Sequence, residues 1–318
     1  MKIDLESKPL FAERMKLLLG DEFENYVEYL SKPELKSIRV NTLKISPSEL
    51  KKMLEEKGWK IKQPFKDHPE IMIIESDLLP GELGRSLEHI LGYYYAQEIA
   101  SMLPVIVLNP QPKEIVLDLC ASPGSKTTQI AMMMKNTGTI IANDVKLPRI
   151  KILASNLERC GVTNEIITRT NGGRICRKLK AEGYMFDKIL LDAPCSGEGT
   201  LRSTPRSLQM WNIRRVYRMS KEQKDLLKNA IESLKVGGEL VYSTCTHAPE
   251  ENEEVIDSVL KEFPNIKVEK INLPIKCKPG ITSWNNKEYN SELKNACRIY
   301  PNISDTEGFF IAKMRKTK

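Results

Sequence analysis

From Glu114 onward, short apolar runs alternate with amphipathic stretches, the pattern of strands and helices in a parallel doubly wound sheet. The runs at 115–119, 139–143, 165–170, 188–191 and 239–242 predict its strands. Ile150, Leu153 and Leu157 mark one helix between them. Leu226, Leu227, Ala230, Ile231 and Leu234 mark a second, which Gly237 and Gly238 are expected to stop. A third carries Val255, Val259, Leu260 and Phe263, and residues 308–314 read as a last strand completing the same sheet.

The first hundred residues follow another rhythm. Phe11, Met15, Leu18 and Leu19, then Phe23, Val27 and Leu30, recur at helix spacing over 1–35, as a packing face would. Residues 37–44 alternate as a strand with Arg39, Asn41 and Leu43 on one face, a polar pair that either meets a ligand or is solvated. Ser46-Pro47-Ser48-Glu49 forms a capping box with proline at the first helical position, and that helix stops at Gly58. Two apolar runs in 59–75, including Ile71-Met72-Ile73-Ile74, complete a small α+β unit. Residues 92–104 predict a helix leading onward, whose Tyr93, Tyr94 and Tyr95 either pack or stack on bases. The expected domains are 1–105, a small amino-terminal α+β RNA-binding domain, and 106–318, an α/β catalytic domain.

Composition narrows the class. At 318 residues, 41% hydrophobic and 29% charged, the chain is expected to be globular, and no apolar run approaches the ~20 residues of a membrane span. The stretch from Met1 to Leu5 lacks the apolar core of a signal peptide, so the cytoplasm is the expected location. A net charge of +7 suits a polyanionic partner or simple solvation. Seven cysteines without a Cys-x-x-Cys pair, and three histidines, argue against a disulfide framework and a zinc site. Cys277 and Cys297 are expected to be free thiols.

Chemistry gathers at the carboxyl ends of the predicted strands, where open α/β sheets bind ligands. The first strand runs into a tight loop, Asp118-Leu119-Cys120-Ala121-Ser122-Pro123-Gly124-Ser125-Lys126-Thr127. It is not a nucleotide-triphosphate loop, because Ser125 and Cys120 stand where that loop needs glycines. The second strand ends near Asp144, where doubly wound folds place an acid that binds a ribose diol; a helix cap is the compatible alternative. Loop and acid together suit an adenosine cofactor without pyrophosphate, for which S-adenosylmethionine fits.

Two further strand ends carry thiols. Phe186-Asp187-Lys188-Ile189-Leu190-Leu191 ends in Asp192-Ala193-Pro194-Cys195, and Gly238-Glu239-Leu240-Val241-Tyr242 ends in Ser243-Thr244-Cys245, so Cys195 and Cys245 are expected to be neighbours. Carbon 5 of cytosine accepts a methyl group only after a thiolate has added at carbon 6. The reaction also needs an acid at the ring nitrogen, for which Asp192 is placed, and loss of the carbon-5 hydrogen, which a second thiol can assist.

Across residues 39–313 the chain resembles the Sun-family RNA cytosine-5 methyltransferases. The resemblance rests on Arg39-Val40-Asn41-Thr42, Tyr95-Ala96-Gln97-Glu98 with Ala100-Ser101, and the 121–127 loop. It rests also on Asp192-Ala193-Pro194-Cys195-Ser196-Gly197, Tyr242-Ser243-Thr244-Cys245 with Pro249-Glu250-Glu251-Asn252, and Asp305-Thr306-Glu307-Gly308-Phe309-Phe310. It implies a Rossmann-like class I S-adenosylmethionine-dependent methyltransferase sheet, with Cys245 as nucleophile, Cys195 as the releasing thiol, and Lys126 and Asp192 near the target base. It implies cofactor contacts from Cys120, Ala121, Ser122, Pro123, Gly124, Ser125, Lys126, Asp144, Arg149 and Asp192, Arg149 having solvent or a helix neighbour as its alternative.

Three positions depart from the family pattern: Ser125 for glycine, Ser122 for alanine, and Asn171-Gly172 where an adenine-binding aspartate is usual. Gly172 aligns with that acid, and Asn171 can accept the adenine hydrogen bond in its place, with weaker cofactor affinity expected. The expected partner is RNA, tRNA ahead of rRNA, with no metal and no membrane, acted on by a monomer. Between the thiols, Arg202, Arg206, Trp211, Arg214, Arg215, Tyr217 and Arg218 form a basic, aromatic segment suited to RNA, unless Trp211 packs inward. Lys51, Lys52, Lys57, Lys60 and Lys62 offer a second RNA surface or a solvated face. With the chain ending at Lys318, no appended RNA-binding module is expected. Richness in Lys, Ile and Glu gives a thermophile cast, and an archaeal source is expected. Two alternatives stand against this reading: a DNA methyltransferase, whose nucleophile would be the Pro-Cys thiol, and a non-catalytic RNA-binding or assembly factor retaining the fold.

Overall fold

A computed structural model describes residues 5–318; residues 1–4, the start of the expected helical segment, lie outside it. The chain opens with α1 (Pro9–Leu19) and α2 (Phe23–Leu30). Next come β1 (Lys36–Val40), α3 (Pro47–Glu56), β2 (Ile61–Lys62), β3 (Ile71–Ile74) and β4 (Tyr94–Ala96). The capping box of α3 forms as expected: Ser46 accepts from the Glu49 N–H and Glu49 reaches back to the Ser46 N–H. The tyrosine run is not the start of a helix. Tyr94 to Ala96 pairs antiparallel with β1, and α4 begins only at Ile99, running Ile99–Leu108.

The alternating half follows: β5 (Ile115–Asp118), α5 (Ser125–Met133), β6 (Thr139–Asp144), α6 (Leu147–Cys160), β7 (Glu165–Arg169), α7 (Gly172–Ala181) and β8 (Phe186–Asp192). Then come α8 (Ile213–Glu232), β9 (Leu234–Thr244), α9 (Glu253–Glu262) and, near the end, β10 (Cys297–Ile299) and β11 (Phe309–Lys316). The glycine pair expected to stop α8 lies inside β9 instead; α8 ends at Glu232, and Leu234 already belongs to the strand. Gly238 is tightly enclosed, since a Cβ there would lie 2.9 Å from the Asp187 carbonyl oxygen.

Two compact units divide the chain by its contacts. One contains 1–34, 193–228 and 242–315; the other contains 35–192, 229–241 and 316–318. The reason is apolar burial. Phe11, Met15, Leu19, Tyr26 and Leu30 form one core with Leu208, Trp211, Val216 and Tyr300, so α1 and α2 belong with late segments of the chain. Arg14 adds a buried bidentate pair with Glu250, at 3.0 and 2.6 Å. In this unit β11 pairs antiparallel with β10.

The other unit holds a four-stranded sheet, β2-β3-β1-β4, and the parallel strands β8-β5-β6-β7, with β9 beside β8. Strand order reverses on the two sides of β5, and the crevice of such a reversal is where doubly wound sheets bind ligands. Lys188, inside β8, directs its ammonium to the carbonyl oxygens of Leu108 and Asn109, capping the C-terminus of α4. No described helix is long and apolar enough to cross a membrane.

Candidate active site

The loop after β5 is held at nearly every peptide. Ala121 N–H donates to Asn143 O at 2.8 Å, and Leu119 N–H to Leu190 O at 3.0 Å. The carbonyls of Ser122, Pro123 and Ser125 accept from Arg149, Asn156 and Arg39 respectively, the last two at 2.9 and 2.7 Å. Ser122–Pro123 is a cis peptide, and Gly124 has φ of +106°, a conformation that only glycine takes easily. Both departures from the family pattern are small enough to fit: Ser122 is buried and Ser125 opens α5.

Arg39, expected to face a ligand or solvent, does neither. It is buried, donates to Gln97, Ser125 and Thr128, and so ties β1 to the cofactor-side loop. Asn41 likewise bonds the carbonyls of Gly92 and Cys160, each at 2.8 Å. Tyr94 and Tyr95 are packed, Tyr95 lying between the Arg39 and Arg159 guanidinium groups. Base stacking by these two rings is thereby excluded.

Asp144 ends β6, buried, accepting from the Lys146 N–H at 3.0 Å and pairing with Arg149 at 3.5 Å. Asp144 does not cap the following helix, since Lys146 holds the N-cap position without a side-chain bond and Asp144 closes an Asx turn before it; Arg149 joins Asp144 to the Ser122 carbonyl. Asn171 caps α7 by accepting from the Arg174 N–H at 3.1 Å, and Gly172 is buried at the first position of that helix. Cys120 borders the loop, and burial pushes its thiol well above the ordinary range. Lys126, on the first turn of α5, donates to Asp192 at 2.7 Å and to Ser101 at 3.0 Å. Asp118 was not singled out from sequence. Burial raises its carboxyl to about 7, while the Thr127 hydroxyl donates to Oδ2 at 2.7 Å.

The other unit carries the thiols. Cys195 Sγ and Cys245 Sγ lie 3.0 Å apart, and both cysteines are free. Their loops are laced together: Ala193 N–H donates to Ser243 O, Gly199 N–H to Cys245 O, both at 2.9 Å, and the Ser196 and Thr246 hydroxyls meet at 2.8 Å. Gly199 cannot be replaced without displacement, since a Cβ there would lie 2.1 Å from Gly308 O. The hydrogen bond to Cys245 and burial together push the Cys195 thiol well up. Glu251 and Gln223 sit behind Cys195, and neither was assigned a role from sequence. Gln223 carried a legible signal, since it occupies the inward phase of α8 with Leu226, Leu227 and Ala230.

The basic segment between the thiols divides in two. Trp211 is buried, its indole N–H bonded to Glu198 at 2.7 Å and its ring edge against Phe11, so it packs inward. Arg202 binds the Lys32 and Pro33 carbonyls and Asp305. Arg206, Arg214, Tyr217 and Arg218 are exposed and Arg215 half-buried, and none of these arginines forms an ion pair among the described residues. The lysines around α3 differ: Lys51, Lys52, Lys57 and Lys62 each have a carboxylate partner. Among the described residues, no group of three or more His, Cys, Asp or Glu side chains could hold a metal ion.

Comparison with known proteins adds the family. Residues 105–315 match the model of 16S rRNA methyltransferase RsmB/F, and residues 8–99 match that of the N-terminal domain of 16S rRNA methyltransferase RsmF. A tRNA (cytosine(49)-C(5))-methyltransferase of Pyrococcus abyssi is 43% identical over 94% of this chain and 93% of its own. Ribosomal RNA small subunit methyltransferase F of Aliivibrio salmonicida is 41% identical over 92% of this chain, which spans 60% of that relative's length. A methyltransferase homolog from Pyrococcus horikoshii superposes with a TM-score of 0.85 at 38% identity, covering 96% of this chain and 94% of that one. NSun6 from the same organism, solved with SFG, gives 0.81 at 27% identity, covering 96% and 97%. Matched along both its amino-terminal and its methyltransferase segments, the chain belongs to the RsmB/F family of Sun-family RNA cytosine-5 methyltransferases.

Proposed function

We propose that the protein transfers a methyl group from S-adenosylmethionine to carbon 5 of a cytidine in structured RNA, through a covalent bond between Cys245 and carbon 6. The observation that carries this reading is the pair of strand-end thiols 3.0 Å apart. Two thiols at that separation suit a reaction in which one sulfur attacks the ring and the other assists its release. A tRNA substrate is favoured over rRNA, because the relative named for a tRNA cytosine matches along 93% of its length and the rRNA-named relative along 60%.

The cradle after β5 fits S-adenosylmethionine. Asp118 Oδ1 and Ser122 Oγ are buried there without a hydrogen-bond partner, and Asp144 offers a carboxylate for a ribose diol. A similar structure was solved with SFG, an analogue of that cofactor. Gly124, Asp144 and Asn171 would hold the nucleoside side, with Lys126 and Asp192 toward the base. When bound, the cofactor supplies the methyl group.

Asp192 and Cys195 are three positions apart, so their Cα atoms lie within about 11 Å of each other whatever the path of the chain. Asp192, whose carboxylate accepts from Lys126, is the group this reading assigns to the ring nitrogen of the base. The Cys195 thiol, which keeps its proton, can donate a hydrogen bond to the Cys245 sulfur. Once Cys245 is bonded to carbon 6, its sulfur is no longer an anionic acceptor. Two of the causes holding the Cys195 pKa up then disappear, leaving burial and the charge of Glu251. Once its own proton has passed to solvent, Cys195 takes the carbon-5 proton, the C–H electrons forming the carbon 5–carbon 6 double bond as the carbon–sulfur pair returns to Cys245. The unpaired arginines at the start of α8 are the phosphate-binding surface of this reading.

Incubating RNA and cofactor with each thiol variant tests the roles. Cys195→Ala is expected to accumulate a protein–RNA adduct that survives denaturation, and Cys245→Ala to form none. The reverse pattern would exchange the two roles, and absence of 5-methylcytidine formation by wild type on any cellular RNA would reject the activity.

A further inference from the structure

Cys195 and Cys245 are each held by a separate device of buried side chains. Gln223 Nε2 donates to Pro194 O at 2.8 Å and to Glu251 Oε2 at 2.9 Å; the same Glu251 oxygen accepts from the Ser196 N–H at 2.9 Å. The peptide before Cys195 is therefore gripped by its carbonyl and the peptide after it by its N–H, through two side chains that are 0% exposed. The next residue, Asn252, brackets the other thiol through the side chain of the residue before it and the carbonyl of the residue after it. Its Oδ1 accepts from Thr244 Oγ1 at 2.6 Å and its Nδ2 donates to Thr246 O at 3.0 Å, bracketing Cys245. Glu251 is itself fixed, since Tyr242 Oη donates to its backbone carbonyl at 2.6 Å.

We infer that these are positioning residues dedicated to different steps: Gln223 with Glu251 sets Cys195 for product release, and Asn252 sets Cys245 for attack. The inference rests on the thiol roles proposed above. Its physical basis is the steep dependence of rate on the placement of reacting atoms, with ångström-scale displacement costing up to about a hundredfold. A backbone grip controls that placement because a cysteine side chain has a single χ1 torsion between its Cα and its sulfur. Glu251 Oε1 has no hydrogen-bond partner, so both hydrogen bonds its side chain accepts serve the grip on Cys195.

The test measures adduct formation in a single turnover and adduct decay after a chase, in the same protein. Because only folded molecules form adduct, the ratio of the two rates is independent of the folded fraction. Gln223→Met should slow decay by about tenfold or more while leaving formation within about threefold of wild type. Asn252→Leu should do the opposite. Glu251→Gln retains one oxygen able to accept both hydrogen bonds and should keep the wild-type ratio, whereas Glu251→Leu should behave as Gln223→Met.

Equal slowing of both steps in Gln223→Met and Glu251→Leu, or no adduct in either, would make the grip an ordinary core contact and overturn the assignment. Cys195→Ala separates that failure from a failure of the underlying reading. If Cys195→Ala holds a long-lived adduct while Gln223→Met does not, only the positioning assignment falls. If Cys195→Ala holds none, the thiol roles fall and the assignment with them.

Discussion

Asp118 shows how one side chain can report on the cradle without touching the reacting carbon. It ends β5, buried, with one carboxyl oxygen on the Thr127 hydroxyl and the other without a partner. Desolvation raises its pKa from 3.8 to about 7, and the charges of Asp192 and Asp144 push in the same direction. A carboxyl with a folded-state pKa above its unfolded value contributes stability that is fully present below about pH 4 and lost as pH rises through about 7. Asp118→Asn removes that titration. Relative to the variant, wild type should therefore lose up to about 4 kcal/mol of unfolding free energy between pH 4 and pH 8. Denaturant midpoints of both proteins at the two pH values check this. An unchanged difference would mean that Asp118 is ionised throughout. The neighbouring departures from the family pattern are settled differently, since Asn171 is engaged as a helix cap and its carbonyl already accepts one hydrogen bond.

Among the elements, β1 has the clearest task beyond pairing with β3 and β4. Its Arg39 reaches the Ser125 carbonyl and the Thr128 hydroxyl, both at 2.7 Å, and holds the first turn of α5. Arg39→Met keeps the volume and removes all these donors, leaving buried acceptors unpaired. It should destabilise the fold by about 3 kcal/mol and weaken S-adenosylmethionine binding by about tenfold, read by thermal unfolding and calorimetric titration. Unchanged affinity would show that the loop keeps its shape without β1. The sequence marked Arg39 as a polar residue on a strand face but not what it touches, because its partners lie 58, 86 and 89 residues away. The same non-locality hid β4, which exists only because β1 lies beside it. The parallel strands were legible because burial on both faces writes a continuous apolar run. The start of β9 was not, since Leu234 keeps the helical phase of Leu226, Leu227, Ala230 and Ile231 across the boundary. Cys195 and Cys245 could be placed together because two strand ends carry them, whereas the helical phase marked Gln223 as inward without showing that it meets Pro194.

On the scale of the whole molecule, the net charge of +7 says less than the distribution of unpaired cations. Four of the five lysines around α3, all but Lys60, face carboxylates among the described residues, as in Lys51–Glu55 at 3.8 Å and Lys52–Glu56 at 3.9 Å, so their field is largely cancelled nearby. Arg214, Arg215 and Arg218 line an open cleft with Met210 and Asn212, and no carboxylate among the described residues pairs with them. Phosphates displaced onto such arginines release counterions, and each contact steepens the fall of affinity with salt by ~0.7 to 0.9 in log–log slope. Replacing the three arginines with glutamine should therefore flatten the salt dependence of tRNA binding by about 2, with loss of affinity across different RNA sequences. Lys51→Gln with Lys52→Gln removes two charges from a face already paired and should leave the slope within about 0.5 of wild type. Filter binding at a series of salt concentrations reads both variants. An unchanged slope in the arginine variant, or a comparable change in the lysine variant, would move the RNA footprint away from the start of α8.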